Sequence, residues 1–265
     1  MCLCFHCIEL YLIFTLDKFF EDCSHFWPLE SVDNVEDVKT NTWGRAIGGV
    51  QIMSGLLTDG VSGEIQLLDR PGVSCATVNI NASQTCSGFT VALWLKYWSR
   101  ADGQRQFLFN SFGSFILYQE SNDTLIIRIQ RSATYCLKEI IVPAKIWSYL
   151  VISFDATVTP HILTIHKNGE KLTDFLRDEG CTSLVAPQFV SSSVSLGAGF
   201  GVFARATFAE VAIWNFALSD KKIGELSMIH MSKFANAHSP FCLKTSQSHC
   251  AEVIVRLIFN ISFSK

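Results

Sequence analysis

The residues of this chain with catalytic potential are few and widely separated. A retaining glycosidase needs two carboxyls about 5–5.5 Å apart, which one strand supplies as E-x-x-x-E or E-x-D-x-x-E with alternate residues facing a cleft. Here "KEIIVP" carries Glu139 alone and "FAEVAIW" carries Glu210 alone. The sequence contains no G-x-S-x-G elbow, no H-E-x-x-H helix and no Walker loop. His161 and His166 stand five apart on an expected strand, which turns them to opposite faces and reads as surface histidines rather than metal ligands. His238, Cys242, His249 and Cys250 are the right residue types for zinc, but their spacing fits no common zinc pattern, and a Cys242–Cys250 disulfide is simpler. Tyr97 and Trp98, beside "SRADGQ", sit where a strand should end and could stack on a sugar, although a β core also consumes aromatics. These residues predict no enzyme.

The cysteines suggest covalent chemistry of another kind. Four of the ten, Cys75, Cys86, Cys136 and Cys181, fall in the central region at spacings far from those of a redox dithiol, so they read as two disulfides. Four cysteines allow three connectivities. Locality favours Cys75–Cys86, closing a short loop, with Cys136–Cys181 as the other pair. N-x-[ST] triplets at Asn81, Asn122 and Asn260 suit the same oxidising, extracellular or luminal compartment.

The elements that must position these residues are strands. "SGFTVALWLKYW" puts Phe89, Val91, Leu93 and Leu95 on one face and Thr90, Ala92, Trp94 and Lys96 on the other. "DTLIIRIQR" alternates in the same way, and "KIWSYLVISFD" is rich in β-branched and aromatic residues. In "HILTIHKNGEKLTDF" the pair Asn168-Gly169 separates two alternating runs, the signature of a type I′ hairpin. "SSVSLGAGF" and "FAEVAIWN" supply further strands. One helix is expected, with Ser219 as N-cap, Asp220 in the first turn, and Ile223, Leu226 and Ile229 at helical spacing. Many short strands with frequent turn signals predict an all-β sandwich.

Composition agrees. Hydrophobic residues make up 49% of the 265 and charged residues 17%, enough for a sizeable core. A net charge of -3 without basic runs excludes nucleic acid and an anionic membrane as main partners. Residues 1–24 have two readings, a poor signal peptide interrupted by Glu9 or a start that is not the natural one. The domain is expected over residues 25–234 and a tail over 235–265. Neither terminal apolar run has the ~20 residues of a spanning helix, so no membrane span is expected.

The order of "HFWPLE", Trp147 with its strand, "LTIHKNGEKL" and "FAEVAIWNFALSDKKIGEL" resembles the laminin-G-like domains of the concanavalin A-like lectin/glucanase superfamily. "TDGVSGEIQLLDRPG" and "GFTVALWLK" resemble that family's early strands. The resemblance covers about His25 to Phe234. It implies a jelly-roll sandwich of two antiparallel sheets with one short C-terminal helix, in an extracellular or cell-surface protein. The function it implies is a non-catalytic recognition or adhesion module binding a glycan or an extracellular protein through rim loops, with neighbouring domains in a larger protein. A spacer domain without its own ligand is the alternative, and a carbohydrate-active hydrolase ranks last. No cofactor is expected. The family brings calcium into view, with the acidic loop residues Asp59, Asp69 and Asp102 as candidates. Against calcium stands Ala209, where the family often has an Asp near a rim.

Overall fold

The computed structural model describes residues 22–68, 77–80, 83–86, 88–100, 103–111, 115–121, 123–131, 134–180 and 194–238. In chain order the strands of its two large sheets are β1 (His25–Trp27), β2 (Arg45–Ile47), β3 (Val50–Met53), β4 (Gly55–Asp59), β5 (Glu64–Leu68), β6 (Gly88–Tyr97), β7 (Gln106–Ser111) and β8 (Phe115–Ser121). There follow β9 (Thr124–Arg131), β10 (Thr134–Ile141), β11 (Ser148–Asp155), β12 (Ile162–Lys167), β13 (Glu170–Lys171), β14 (Arg177–Glu179), β15 (Val194–Leu196) and β16 (Arg205–Trp214). One helix, α1 (Asp220–His238), comes after them. The first sheet runs β13-β12-β11-β6-β16-β4-β3, with β1 also on β16; the second runs β14-β10-β9-β8-β7-β15-β5-β2. Every pairing is antiparallel. This is the two-sheet jelly-roll sandwich that the sequence predicts.

Strand alternation decides where the core lies. The inward faces of the two sheets meet through Phe89, Val91, Leu93 and Leu95 of β6, Leu117, Leu125, Ile127 and Ile129 of the second sheet, and Val211 and Ile213 of β16. Each large apolar side chain buried there contributes about 1.5–3 kcal/mol. The first sheet is covered on its other face too. Ala92, Trp94, Tyr149, Val151, Ala212 and Trp214 form a second apolar layer, closed by Leu218, Ile223 and Leu226. That double coverage explains why β6 is buried along almost its whole length.

The local signals read from the sequence act as expected. Asn168 and Gly169 both have positive φ, 52° and 86°, and link Lys167 directly to its partner Glu170. The Asn168 Oδ1 also accepts the Tyr149 N–H at 2.8 Å. Ser219 caps α1: its hydroxyl accepts the Lys222 N–H at 3.3 Å and its carbonyl the Ile223 N–H at 2.9 Å. The helix has 19 residues and continues past Phe234 to His238.

Sequence alone did not indicate a break in β16. Ala92 faces Ala212 but Trp94 faces Ala209, so two residues of β16, Glu210 and Val211, oppose Leu93. Glu210 takes φ 49° at this bulge. The bend lets β16 pair with β4 over Arg205–Phe208 and with β1 over Val211–Ile213.

Candidate functional site

A cleft of about 390 Å³ opens at one rim of the sandwich, lined by Asp59, Gly60, Trp98, Ser99, Arg100, Gln106, Lys145 and Arg205. Five separate segments meet there: the end of β4, the residues after β6, the start of β7, the loop between β10 and β11, and the start of β16. Strand register brings three of them together. Arg205 faces Asp59 across β16 and β4, and Ala206 faces Tyr97 across β16 and β6. The Trp98 N–H donates to the Arg205 carbonyl at 3.0 Å, carrying the ladder one residue beyond β6.

Gln106 binds the second sheet to this corner. Its side chain is fully buried. The Nε2 donates to the Trp98 carbonyl at 2.8 Å and to the Gln119 side-chain oxygen, while the Oε1 accepts the Arg205 N–H at 2.9 Å. Burying an amide without partners is costly, so these bonds fix the backbone of both Trp98 and Arg205. The next loop is tied down as well. The Lys145 N–H donates to the Tyr97 carbonyl at 2.7 Å, and the Tyr97 hydroxyl donates to the Val142 carbonyl at 2.6 Å. Burial pushes the Tyr97 phenol well above its usual range, which keeps that donor protonated.

Cations dominate the cleft's side chains. The Arg205 guanidinium lies 5.2 Å and the Lys96 ammonium 5.5 Å from the Trp98 ring centroid. Arg100 reaches the Phe203 carbonyl at 3.4 Å. Asp59 is the one carboxylate in the lining, and its own turn occupies it. Its Oδ1 accepts the N–H groups of Val61, Ser62 and Gly63 at 2.8, 2.9 and 2.8 Å. Those bonds, the one from Ser62 first, hold its carboxyl below the usual value.

Of the sequence candidates, Asp59 and Trp98 reach this cleft, while Tyr97 turns into the core. Asp69, Asp102, Cys75, Cys181, Asn81 and Asn122 lie outside the described residues, as does the side chain of Cys86. Cys136 is buried on β10 and disulfide-bonded. Among the described residues no three His, Cys, Asp or Glu side chains are grouped to hold a metal ion. Ala209 lies in mid-strand beneath α1, packed among Trp94 and Trp214. An Asp at that position would therefore be buried among apolar side chains rather than exposed at the rim.

The two lone carboxylates belong to different sheets. Glu139 is on β10, and Glu210 at the bulge lies 2.7 Å from the His230 Nδ1 of α1. His161 bonds the Val158 carbonyl at 2.8 Å, and His166 lies buried 3.7 Å from Asp220. Sequence reasoning missed Gln106, Lys145, Arg100 and Arg205. No local pattern marks them, because only the strand register brings their segments together.

A family model described as the concanavalin A-like lectin/glucanases superfamily, of laminin-G-like type, matches residues 72–224. No curated protein matches the chain. Among solved structures the chain is similar to the binding domain of botulinum neurotoxin DC in complex with rat synaptotagmin II, at 12% identity and TM-score 0.57, covering 79% of this chain and 52% of that one. It is also similar to the receptor binding domain of the botulinum neurotoxin C/D mosaic serotype, at 14% identity and TM-score 0.58 over 78% and 51% of the two chains. A third is the binding domain of botulinum neurotoxin DC in complex with SialylT, at 12% identity and TM-score 0.56, covering 79% and 52%. The chain spans about half the length of these binding domains, and at such identity the likeness shows the fold. No helix among the described residues is long and apolar enough to cross a membrane.

Proposed function

Because this chain belongs to the concanavalin A-like lectin/glucanases superfamily, whose model matches more than half of it, we propose that it is a non-catalytic recognition module binding a glycan or a protein surface through one rim. The observation that carries this reading is the cleft of about 390 Å³ with Trp98 in its wall. The cleft is built in advance, since buried Gln106 fixes both Trp98 and Arg205 by backbone hydrogen bonds. Loops on a rigid sandwich are where binding residues concentrate. Support comes also from the similar solved structures, two of which are complexes with a protein and with SialylT. The reading places the chain outside the cell, with disulfides Cys75–Cys86 and Cys136–Cys181, glycans on Asn81 and Asn122, and no metal cofactor.

A glycan array together with a panel of cell-surface ectodomains tests it. Some member of either set should bind the unaltered chain, and Trp98→Ala should weaken that binding on the order of tenfold. Chelation by EDTA should leave it unchanged; loss on chelation would restore calcium. Binding indifferent to Trp98→Ala would remove the cleft from the reading, and silence throughout would favour a spacer domain.

A further inference from the structure

Helix α1 meets the outer face of the first sheet through one buried stripe, Ile223, Leu226, Ser227 and His230, at i, i+3, i+4 and i+7. The first half of that stripe is apolar and closes over Trp94 and Trp214. The second half is polar. Ser227 is as buried as its neighbours, and its Oγ has no hydrogen-bond partner among the described residues. On the sheet beneath, the Tyr149 Oη of β11 and the His166 Nδ1 of β12 are likewise buried without a partner. Each such group opposes closure, so α1 is held less firmly than an all-apolar stripe would hold it.

His166 lies under the first turn of this helix. Its side chain is 4% exposed, and across the strands it pairs with Val151 of the same apolar layer. Two charged groups face it. The Asp220 Oδ1 of α1 is 3.7 Å from the His166 Nε2, and the Nζ of Lys171, its partner on β13, is 2.7 Å from the other oxygen of that carboxylate. The one carboxylate therefore already has its cation, and the N-terminal end of α1 adds partial positive charge. A proton on His166 puts a second cation there, out of water. We propose that α1 is an acid-released cover: protonation of His166 frees it and exposes the apolar layer of Trp94, Tyr149, Val151 and Trp214. His230 is placed differently, since its Nδ1 is 2.7 Å from Glu210 and its ring stacks on Tyr149 at 4.8 Å, so a proton there meets a carboxylate. Burial first holds the His166 imidazole below its usual 6.5, with Asp220 opposing and Lys171 adding to the effect. Release returns the imidazole to water, so the released form takes up the proton. The covered form is thus favoured in full above pH about 6.5 and loses up to about tenfold per unit below it, until the folded value is passed.

The experiment is amide hydrogen exchange of the whole chain, read by mass spectrometry at pH about 7.5 and about 5.5 and corrected for the intrinsic rate. Peptides of α1 should exchange about fivefold faster at the acid pH while those of β6 do not change, and tryptophan emission should shift to the red. His166→Gln should abolish the acceleration, and His230→Gln should leave it in place. Lys171 and Asp220 are exposed, so variants there keep the fold. Lys171→Gln should shrink the ratio between the two pH values, because it leaves Asp220 to the imidazolium, and Asp220→Asn should enlarge it. A ratio of one in the unaltered chain overturns the proposal. Acceleration of β6 together with α1 overturns it as well, since that is unfolding of the whole domain. So does a ratio kept in His166→Gln, whether or not His230→Gln removes it. Should His166→Gln fail to fold, a ratio indifferent to both Lys171→Gln and Asp220→Asn overturns it instead.

Discussion

Neighbouring residues of similar chemistry have opposite fates in this protein because strand geometry assigns them. Tyr97 and Trp98 are adjacent, yet Tyr97 closes the core and Trp98 walls the cleft. Burial acts in the same way on Cys23, whose thiol is pushed up to about 12, so it should resist alkylation by iodoacetamide until the chain unfolds. Asp37 shows how much one buried group can demand. Burial alone would raise its carboxyl, but His25 at 2.6 Å, the Thr40 hydroxyl at 2.6 Å and the N–H groups of Phe26 and Lys39 at 2.9 and 3.0 Å outweigh it. The folded value therefore lies below the unfolded 3.8. A lowered carboxyl contributes stability in full above the unfolded value and loses it as pH falls through the folded one. Urea unfolding at a series of pH values should show Asp37→Asn about 2–3 kcal/mol less stable at neutral pH, with a flatter loss below pH about 4. Parallel curves for the two proteins would show that Asp37 is not the acid-sensitive group.

At the scale of elements, short-range chemistry was read correctly wherever it was self-contained. Asn168-Gly169 makes its hairpin because both residues accept positive φ, and Ser219 starts α1 because its side chain is the right length to cap it. What the helix does depends on its partners. Ile223 and Leu226 close the outer layer over Trp94 and Trp214. Ile223→Ala should cost about 2–4 kcal/mol, and Ser219→Ala about 1 kcal/mol. Chemical denaturation followed by tryptophan fluorescence measures both, since two of the reporting indoles lie under the helix. A larger cost for Ser219→Ala than for Ile223→Ala would mean that α1 is held by its cap rather than by packing. The bulge at Glu210 and Val211 was not legible, because two-against-one opposition exists only between strands already paired.

For the whole molecule, covalent closure should matter as much as packing. Cys136 sits in the core and is disulfide-bonded, so reduction should lower stability by about 2–4 kcal/mol. Thermal melts with and without dithiothreitol check this, and coincident melts would show that the bond adds nothing. The sequence by itself determined the class of fold, the alternation of its strands between two faces, its hairpin turn and its helix cap. Each of these depends on residues within one or two turns of chain, where periodicity and backbone preference act directly. Only the tertiary structure decided the cleft. Asp59, Trp98, Gln106, Lys145 and Arg205 are separated by up to 146 positions, and Arg205 was an unremarked cation before β16 aligned it with β4 and β6. The reason is physical: hydrogen-bond register and a single buried glutamine set which distant segments share a rim, and neither leaves a local pattern in the chain.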